Sequence, residues 1–386
     1  MKKILFLTPY FFPGFRAGGP QQTVANIADM YGEYADIYIL TQNYDLGMET
    51  PYEGVEIGKW LSYGKTKVKY LPKHMYNYFG IKKEYQKFNT VYSCGLFDSN
   101  TLSVLAVHRL DRKKKKLYLA PMGVFSKGAI QSKYIKKIIF LKCMNVFGAF
   151  QGIIWSFSPI KELEDARRVL GKNVVKRYII AEDVPRFTDF NYYRSEARNY
   201  VKKPGNLRII FISRICRKKN LGFCIDILKE IKSGKVQFDI FGIIEDHRYW
   251  EECKIKMQRL PENVEVRYFG AVKPDQVTGV FSKYDIFLFP TKGENYGHVI
   301  YEALSAGCIP VVSDTTPWDI LEKKGAGEII HYGDIKRFQK IVEIYLKMSM
   351  PEMVLKRRKA VDLAEEKYKQ SRKRNEYSSL FYQNDF

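Results

Sequence analysis

Two carboxylates stand eight positions apart in the string GENYGHVIYEALSAG (293–307). Glu294 falls in a glycine-bounded turn, where it can meet polar substituents of a ligand. Glu302 falls in an apolar, small-residue helix pattern, about two turns in by this reading. The amides that open such a helix face an anion favourably. The same carboxylates would also suit a solvated helix start. A second turn, SRICRKKNL (213–221), carries two cations, Arg214 and Lys219, at the same edge of the fold. Positive charge there could stabilise a departing diphosphate, with Arg forking onto two oxygens and Lys acting as a point charge. A basic loop in a very basic chain is the plain alternative. A third element is the Gly18–Gly19 pair. Without a Cβ, backbone can approach a diphosphate closely, although two glycines also make an ordinary tight turn. The pair is not a GxGxxG fingerprint, and no Walker lysine follows it.

The elements that must position these residues read as alternating strand and helix. KKILFLT (2–8) is a buried strand, followed by a loop (9–20) that holds the glycine pair and by the helix QQTVANIADMYG (21–32). YADIYILT (34–41), VKYL (68–71), NTVYS (89–93) and KLYLAP (116–121) are further strand candidates. A stretch rich in Arg, Tyr and Lys (186–206) reads as a linker. The alternation then resumes with LRIIFIS (207–213), VQFDIFG (236–242), VEVRYFG (264–270), DIFLFP (285–290) and IPVVS (309–313). Unbroken apolar runs of this length, separated by helices, predict parallel strands in doubly wound α/β sheets. Glu294 and the Arg214–Lys219 turn then lie at the carboxyl ends of strands, where open α/β sheets place their ligands.

The segment with Glu294 and Glu302 resembles the family-four retaining glycosyltransferases, whose signature is Glu, seven residues, Glu. The resemblance implies a GT-B fold, two Rossmann-like domains facing across a cleft. It implies that Glu294 contacts hydroxyls of the donor sugar and that Glu302 binds the ribose of the nucleotide. Asn295, Tyr296 and Gly297 lie within the matching string and join the donor site, as does the Gly18–Gly19 pair, which the family places at the cleft. Arg214 and Lys219 match the Arg and Lys that serve the leaving diphosphate. APMGVFSKGAIQSKYIKK (120–137) and SDTTPWDILE (313–322) are similar to segments of one subgroup. The implied domains are 1–190 on the acceptor side and 205–363 for the nucleotide sugar. A C-terminal helix over about 364–386 would pack back on the first domain through Tyr377, Leu380 and Phe381. Two stretches depart from the family pattern. IIAEDVPRF (179–187) stands where many members carry Asn-Gly-hydrophobic-Asp, and YSCGLFDSN (92–100) lacks the family's His. No catalytic residue is therefore assigned to the first domain.

Composition narrows the remaining choices. With 386 residues, 46% of them hydrophobic, the chain has material for two cores. Its six cysteines form no CxxC pair and no secretory leader precedes the first strand, a pattern that fits a reducing cytoplasm. Five dispersed histidines and the lack of any Asp-x-Asp leave no evident metal carrier, so neither a metal nor a resident cofactor is expected. The net charge of +22 is concentrated, with ten Lys or Arg against one acid, a net of +9, over residues 111–150. Within it, KYIKKIIFLKCMNVFGAF (133–150) interleaves lysines with bulky apolar residues. Lys133, Lys136, Lys137 and Lys142 are thus expected to meet an anionic membrane from an interfacial helix. A span over 138–157 would bury Lys142 at a cost of roughly 2.5–3.5 kcal/mol. These readings point to a peripheral enzyme at the cytoplasmic face. It would take a nucleoside diphosphate sugar, UDP favoured on base rates, and a lipid-linked or polyprenyl-linked glycan acceptor of surface polysaccharide or lipopolysaccharide. An epimerase or phosphorylase on the same fold is disfavoured by the paired glutamates and the following Pro-Trp. A nucleic-acid-binding protein is suggested by net charge alone and lacks a recognition motif.

Overall fold

A computed structural model describes residues 1–381 except 112, 114, 127–128, 131–133 and 374–375. The chain divides into two units, residues 1–184 with 371–386, and residues 185–370. In the first, the described strands are β1 (Lys3–Leu7), β2 (Asp36–Gln42), β3 (Trp60–Tyr63), β4 (Thr66–Leu71), β5 (Thr90–Cys94), β6 (Lys116–Ala120), β7 (Ile154–Phe157) and β8 (Tyr178–Ile180). They form one sheet in the order β3-β4-β2-β1-β5-β6-β7-β8. Every pairing is parallel except that of β3 with β4. The central strands are apolar at nearly every position because both faces are covered. Alternate residues of β1 show it: Leu5 and Leu7 join one buried cluster, Ile4 and Phe6 the other.

The second unit holds β9 (Asn206–Ile212), β10 (Lys235–Phe241), β11 (Val264–Tyr268), β12 (Ile286–Phe289), β13 (Ile309–Ser313) and β14 (Glu328–Ile330). Their order is β11-β10-β9-β12-β13-β14, parallel throughout. The chain winds outward from β9 through β10 to β11, then returns to the other side of β9 as β12. The winding reverses between β9 and β12, and the loops leaving these two strands are those with Lys219 and Glu294.

Three readings of the sequence change. The first helix spans Gly19–Tyr31, two residues earlier than its apolar spacing suggests, because Gly18 at φ 69° caps it and Pro20 suits its first turn. The stretch 186–206 is not a bare linker. Its helix Phe190–Arg198 belongs to the second unit, buries Phe190 and Ala197, and ties Arg194 to Asp362 and Glu365. Two apolar anchors seven residues apart were masked by the polar residues around them. The C-terminal helix begins at Met350 and runs unbroken to Lys373. Residues 371 onward are part of the first unit, where Tyr377, Leu380 and Phe381 are buried and Phe381 stacks on Tyr31 at 4.6 Å between ring centroids.

Candidate active site

The site is built where the loops after β9 and β12 meet, and Thr291 is its pin. The residue is fully buried just past β12. Its carbonyl accepts from Ser313 Oγ at 2.5 Å and Thr315 Oγ1 at 2.7 Å, which ties it to the loop after β13. Its hydroxyl lies 3.3 Å from the Lys218 carbonyl and 3.1 Å from Glu294 Oε1. Two further bonds join the same loops: the Lys292 amide donates to Lys218 O at 2.9 Å, and Asn220 Nδ2 donates to Pro290 O at 2.9 Å. Asn220 sits at φ 64°, a left-handed conformation that Asn tolerates better than most side chains.

These bonds hold Lys219 Nζ 2.6 Å from Glu294 Oε1, with about 11% and 10% of the two side chains exposed. Burial would raise the Glu294 carboxyl. The charges of Lys219 and Lys218, with hydrogen bonds from Lys219 and Thr291, overcome it and keep the group below the usual carboxylate range. Burial pushes the Lys218 ammonium down; Glu294 opposes this, while Lys219 and Arg214 add to it. Arg214, Lys218 and Lys219 therefore form one cationic group on a single loop, and the Glu294 carboxylate that meets the two lysines stays ionised. Arg214 itself is bonded through Nη1 to Glu245, from the loop after β10.

The helix that follows Glu294 spans His298–Ser305 and starts from Gly297 at φ 84°. A Cβ at Gly297 would stand 3.1 Å from Ile300 Cδ1 in a backbone region that L side chains rarely enter. Trp318 Nε1 donates to the Tyr296 carbonyl at 2.7 Å and fixes the turn from outside. Tyr296 also lies against His298, with ring centroids 4.8 Å apart. Burial holds the His298 imidazole down to about 4 against the pull of Glu294, so the ring is neutral at physiological pH.

Glu302 sits little more than one turn into this helix, not two, because the helix starts only at His298. It is half-buried, and its carboxylate makes no hydrogen bond or ion pair with any described residue. Burial pushes it up to about 7, with Arg186 working in the other direction. An acid in that condition is ready to accept hydroxyl groups from a ligand. Gly18 and Gly19 cap and open the first helix in the other unit.

Residues 194–370 match the family model of the glycosyl transferases group 1, a span that lies wholly within the second unit. The second unit is a group 1 glycosyltransferase domain. Similarity extends beyond that domain. The 41.2 kDa protein of the cps region of Klebsiella pneumoniae is 22% identical over 301 residues, 77% of this chain and 80% of its own length. Anabaena HepE in complex with UDP-glucose superposes with a TM-score of 0.71 at 15% identity, covering 98% of this chain and 99% of that one. WaaG, a glycosyltransferase involved in lipopolysaccharide biosynthesis, gives a TM-score of 0.66 at 13% identity and covers 99% of this chain and 100% of its own. The whole chain thus has the GT-B fold.

Several residues of the domain were not singled out by motif. Lys218 was hidden in the run Arg217-Lys218-Lys219, and the charge it directs at Glu294 is visible only in the fold. Glu245, Thr291, His298 and Arg186 belong to no spacing pattern, while Trp318 lay in the Pro-Trp string without an assigned role. Among the described residues, no group of three or more His, Cys, Asp or Glu is placed to hold a metal ion.

The basic segment is partly reassigned. Its helix spans Tyr134–Val146, and the chain then turns into β7. No described helix of the protein is long and apolar enough to cross a membrane. Lys133 lies outside the described residues. Lys137 does not face outward: its Nζ donates to Ala129 O at 2.5 Å and lies 5.2 Å from the centre of the Phe97 ring. Lys136 and Lys142 are exposed. So are Ile135, Ile139, Val146 and Phe147, with Val146 82% and Phe147 74% accessible. Ile135, Ile139, Lys142 and Val146 follow one another at helical spacing on a single face, anchored from behind by buried Leu141.

Proposed function

We propose that the protein is a retaining glycosyltransferase that moves a sugar from a nucleoside diphosphate sugar, UDP-linked by preference, to the hydroxyl of a lipid-linked glycan. The observation that carries this reading is the Lys219–Glu294 pair at the β9–β12 switch point, where doubly wound sheets bind nucleotides. HepE, which shares the fold, is known in complex with UDP-glucose, and WaaG acts in lipopolysaccharide biosynthesis. The Klebsiella relative belongs to a cps region. These neighbours support a role in surface polysaccharide or lipopolysaccharide assembly.

In this reading Glu302 accepts the ribose hydroxyls and Glu294 accepts hydroxyls of the donor sugar, with Asn295, Tyr296 and Gly297 shaping the turn around it. As the anomeric bond ionises, negative charge grows on the departing diphosphate. Arg214, Lys218 and Lys219 meet that charge from fixed positions, which lowers the barrier without reorganisation at the moment of reaction. An ammonium has three donors, so Lys219 can keep Glu294 and still reach a phosphate oxygen. The acceptor hydroxyl attacks from the face the diphosphate leaves, giving retention, and its proton passes to the leaving phosphate. With three cations at the leaving group, the reaction needs no divalent metal and no resident cofactor.

The enzyme would work at the cytoplasmic surface of an anionic membrane. The exposed face Ile135, Ile139, Val146 and Phe147, flanked by Lys136 and Lys142, has the mixture of apolar area and positive charge that such an interface requires. The reading is tested by melting the protein with UDP, GDP, ADP and their sugars, then following acceptor-free hydrolysis of whichever donor stabilises it. Product anomers resolved by NMR decide retention. No stabilisation by any nucleotide and no hydrolysis would refute it.

A further inference from the structure

Arg214 is held by a carboxylate that no motif identifies. Strands β9 and β10 pair throughout their length, and their loops continue the pairing beyond the strand ends. The Ile215 amide donates to Ile243 O at 2.8 Å, and the amides of Glu245 and Asp246 donate back to Ile215 O at 3.2 and 3.1 Å. At Gly242, φ 134°, a Cβ would fall 1.8 Å from the Ser213 carbonyl oxygen, so the loop after β10 lies directly on the backbone beside Arg214. This places the Glu245 carboxylate against the guanidinium. The hydrogen bond runs through Nη1, and no other hydrogen bond from this guanidinium to a described residue is present. The Nε–Nη2 edge, which suits a two-pronged contact with phosphate, is not engaged by Glu245.

The neighbouring cations show that the arrangement is selective. Arg217 is bound to Glu252 at 2.5 Å, with Asp246 3.8 Å away, and so is turned from the cluster. Lys219 is held by Glu294 across the switch point. Of the three cations on the site loop, Arg214 and Lys219 thus each have one carboxylate from an adjacent loop. An arginine is charged at any physiological pH, so Glu245 is not needed to ionise Arg214. What it can change is orientation, since a free arginine has many rotamers to lose on meeting a phosphate.

We infer that Glu245 is a positioning residue for the transferase reaction, holding Arg214 so that its open edge meets the departing diphosphate. The inference rests on the nucleotide-sugar reading above. It places the effect of Glu245 in turnover rather than in donor binding, and makes that effect depend wholly on Arg214.

The test is a double-mutant cycle with Arg214→Ala, Glu245→Ala, both together, and Glu245→Gln. Turnover and KM are measured for donor hydrolysis, and melting temperature is followed in parallel. Glu245→Ala should lower kcat about tenfold with little change in KM. Glu245→Gln, which keeps an acceptor for Nη1, should recover most of it. The double variant should be no slower than Arg214→Ala alone. Multiplicative losses in the double variant, or a Glu245→Ala enzyme as fast as the parent while Arg214→Ala is slow, would overturn the positioning role alone. If Arg214→Ala is itself as fast as the parent, the assignment of the phosphate loop falls with it.

Discussion

Glu302 should show opposite effects on stability and binding when its charge is removed. In the folded protein its carboxyl is pushed from 4.5 up to about 7 by burial. Below pH 4.5 it is protonated folded or unfolded, and burial of the neutral acid costs little. Between pH 4.5 and 7 the unfolded chain releases this proton while the folded one keeps it. Stability that is complete below the unfolded value is therefore lost as pH rises through the folded value. At about 1.4 kcal/mol per pH unit the loss reaches about 3.5 kcal/mol, and residual solvent contact screens it to about 1–3 kcal/mol. Glu302→Gln, a neutral isostere, escapes that cost. At pH 8 the variant should melt on the order of 3–10 °C above the parent, and at pH 4.5 at nearly the same temperature. Nucleotide binding should move the other way, because ribose hydroxyls favour the ionised acceptor. From pH 6 to pH 8 the ionised fraction rises from about one tenth to about nine tenths, so UDP should bind the parent roughly tenfold more tightly at pH 8. In Glu302→Gln that pH dependence should vanish and affinity at pH 8 should fall by about 1.5–3 kcal/mol. Melting curves and calorimetric titrations at pH 4.5, 6 and 8 measure all of this. A variant no more stable than the parent at pH 8, with UDP binding that still tightens across pH 7, would refute the reasoning.

Other consequences can be measured separately. Lys219→Ala should lower turnover by roughly ten- to a thousandfold, comparable with loss of one transition-state donor. Glu294→Ala should spare binding of bare UDP but depress transfer, and turnover equal to the parent's in both variants would remove the pair from the mechanism. Gly297→Ala forces an L side chain into the left-handed region at a cost of about 1–2 kcal/mol, with Ile300 crowded as well. A denaturant midpoint unchanged from the parent would contradict that geometry. Donor hydrolysis should persist in EDTA; an absolute need for an added divalent ion would displace the three cations as the leaving-group partners. Sedimentation with vesicles should require anionic lipid and weaken at high salt, since each lysine contributes on the order of 1 kcal/mol near such a surface. Lys136→Glu with Lys142→Glu should abolish it while donor hydrolysis continues, whereas equal binding to neutral vesicles would count against the membrane face.

Much of the architecture was legible in local sequence because burial on both faces demands a continuous apolar run. KILFL, DIFLF and IPVVS state their environment whatever else surrounds them. Short or marginal strands did not: β3 is half exposed at a sheet edge, and β8 and β14 have three residues each. The helix Phe190–Arg198 was missed for a similar reason, with only Phe190 and Ala197 buried in an otherwise polar segment. On the basic helix, composition marked the lysines but not their directions. Lys137 is taken by Ala129 O and Phe97, and Lys136 is not, a difference decided by rotation about the helix axis.

The candidate site divides the same way. The spacing of Glu294 and Glu302 and the pairing of Arg214 with Lys219 in one loop were available to the sequence, since each is a local string with a recognisable turn. Which charge meets which was not. Lys219 and Glu294 are 75 residues apart, and Arg214 and Glu245 are 31 apart. They meet because β9 has β10 on one side and β12 on the other, which brings the loops after those strands to flank its own. Strand order is a choice among global packings that no local pattern specifies. The chemical groups were therefore written along the chain, while their partners, and the protonation of Glu294, His298 and Glu302, came from the adjacency and burial that folding imposed.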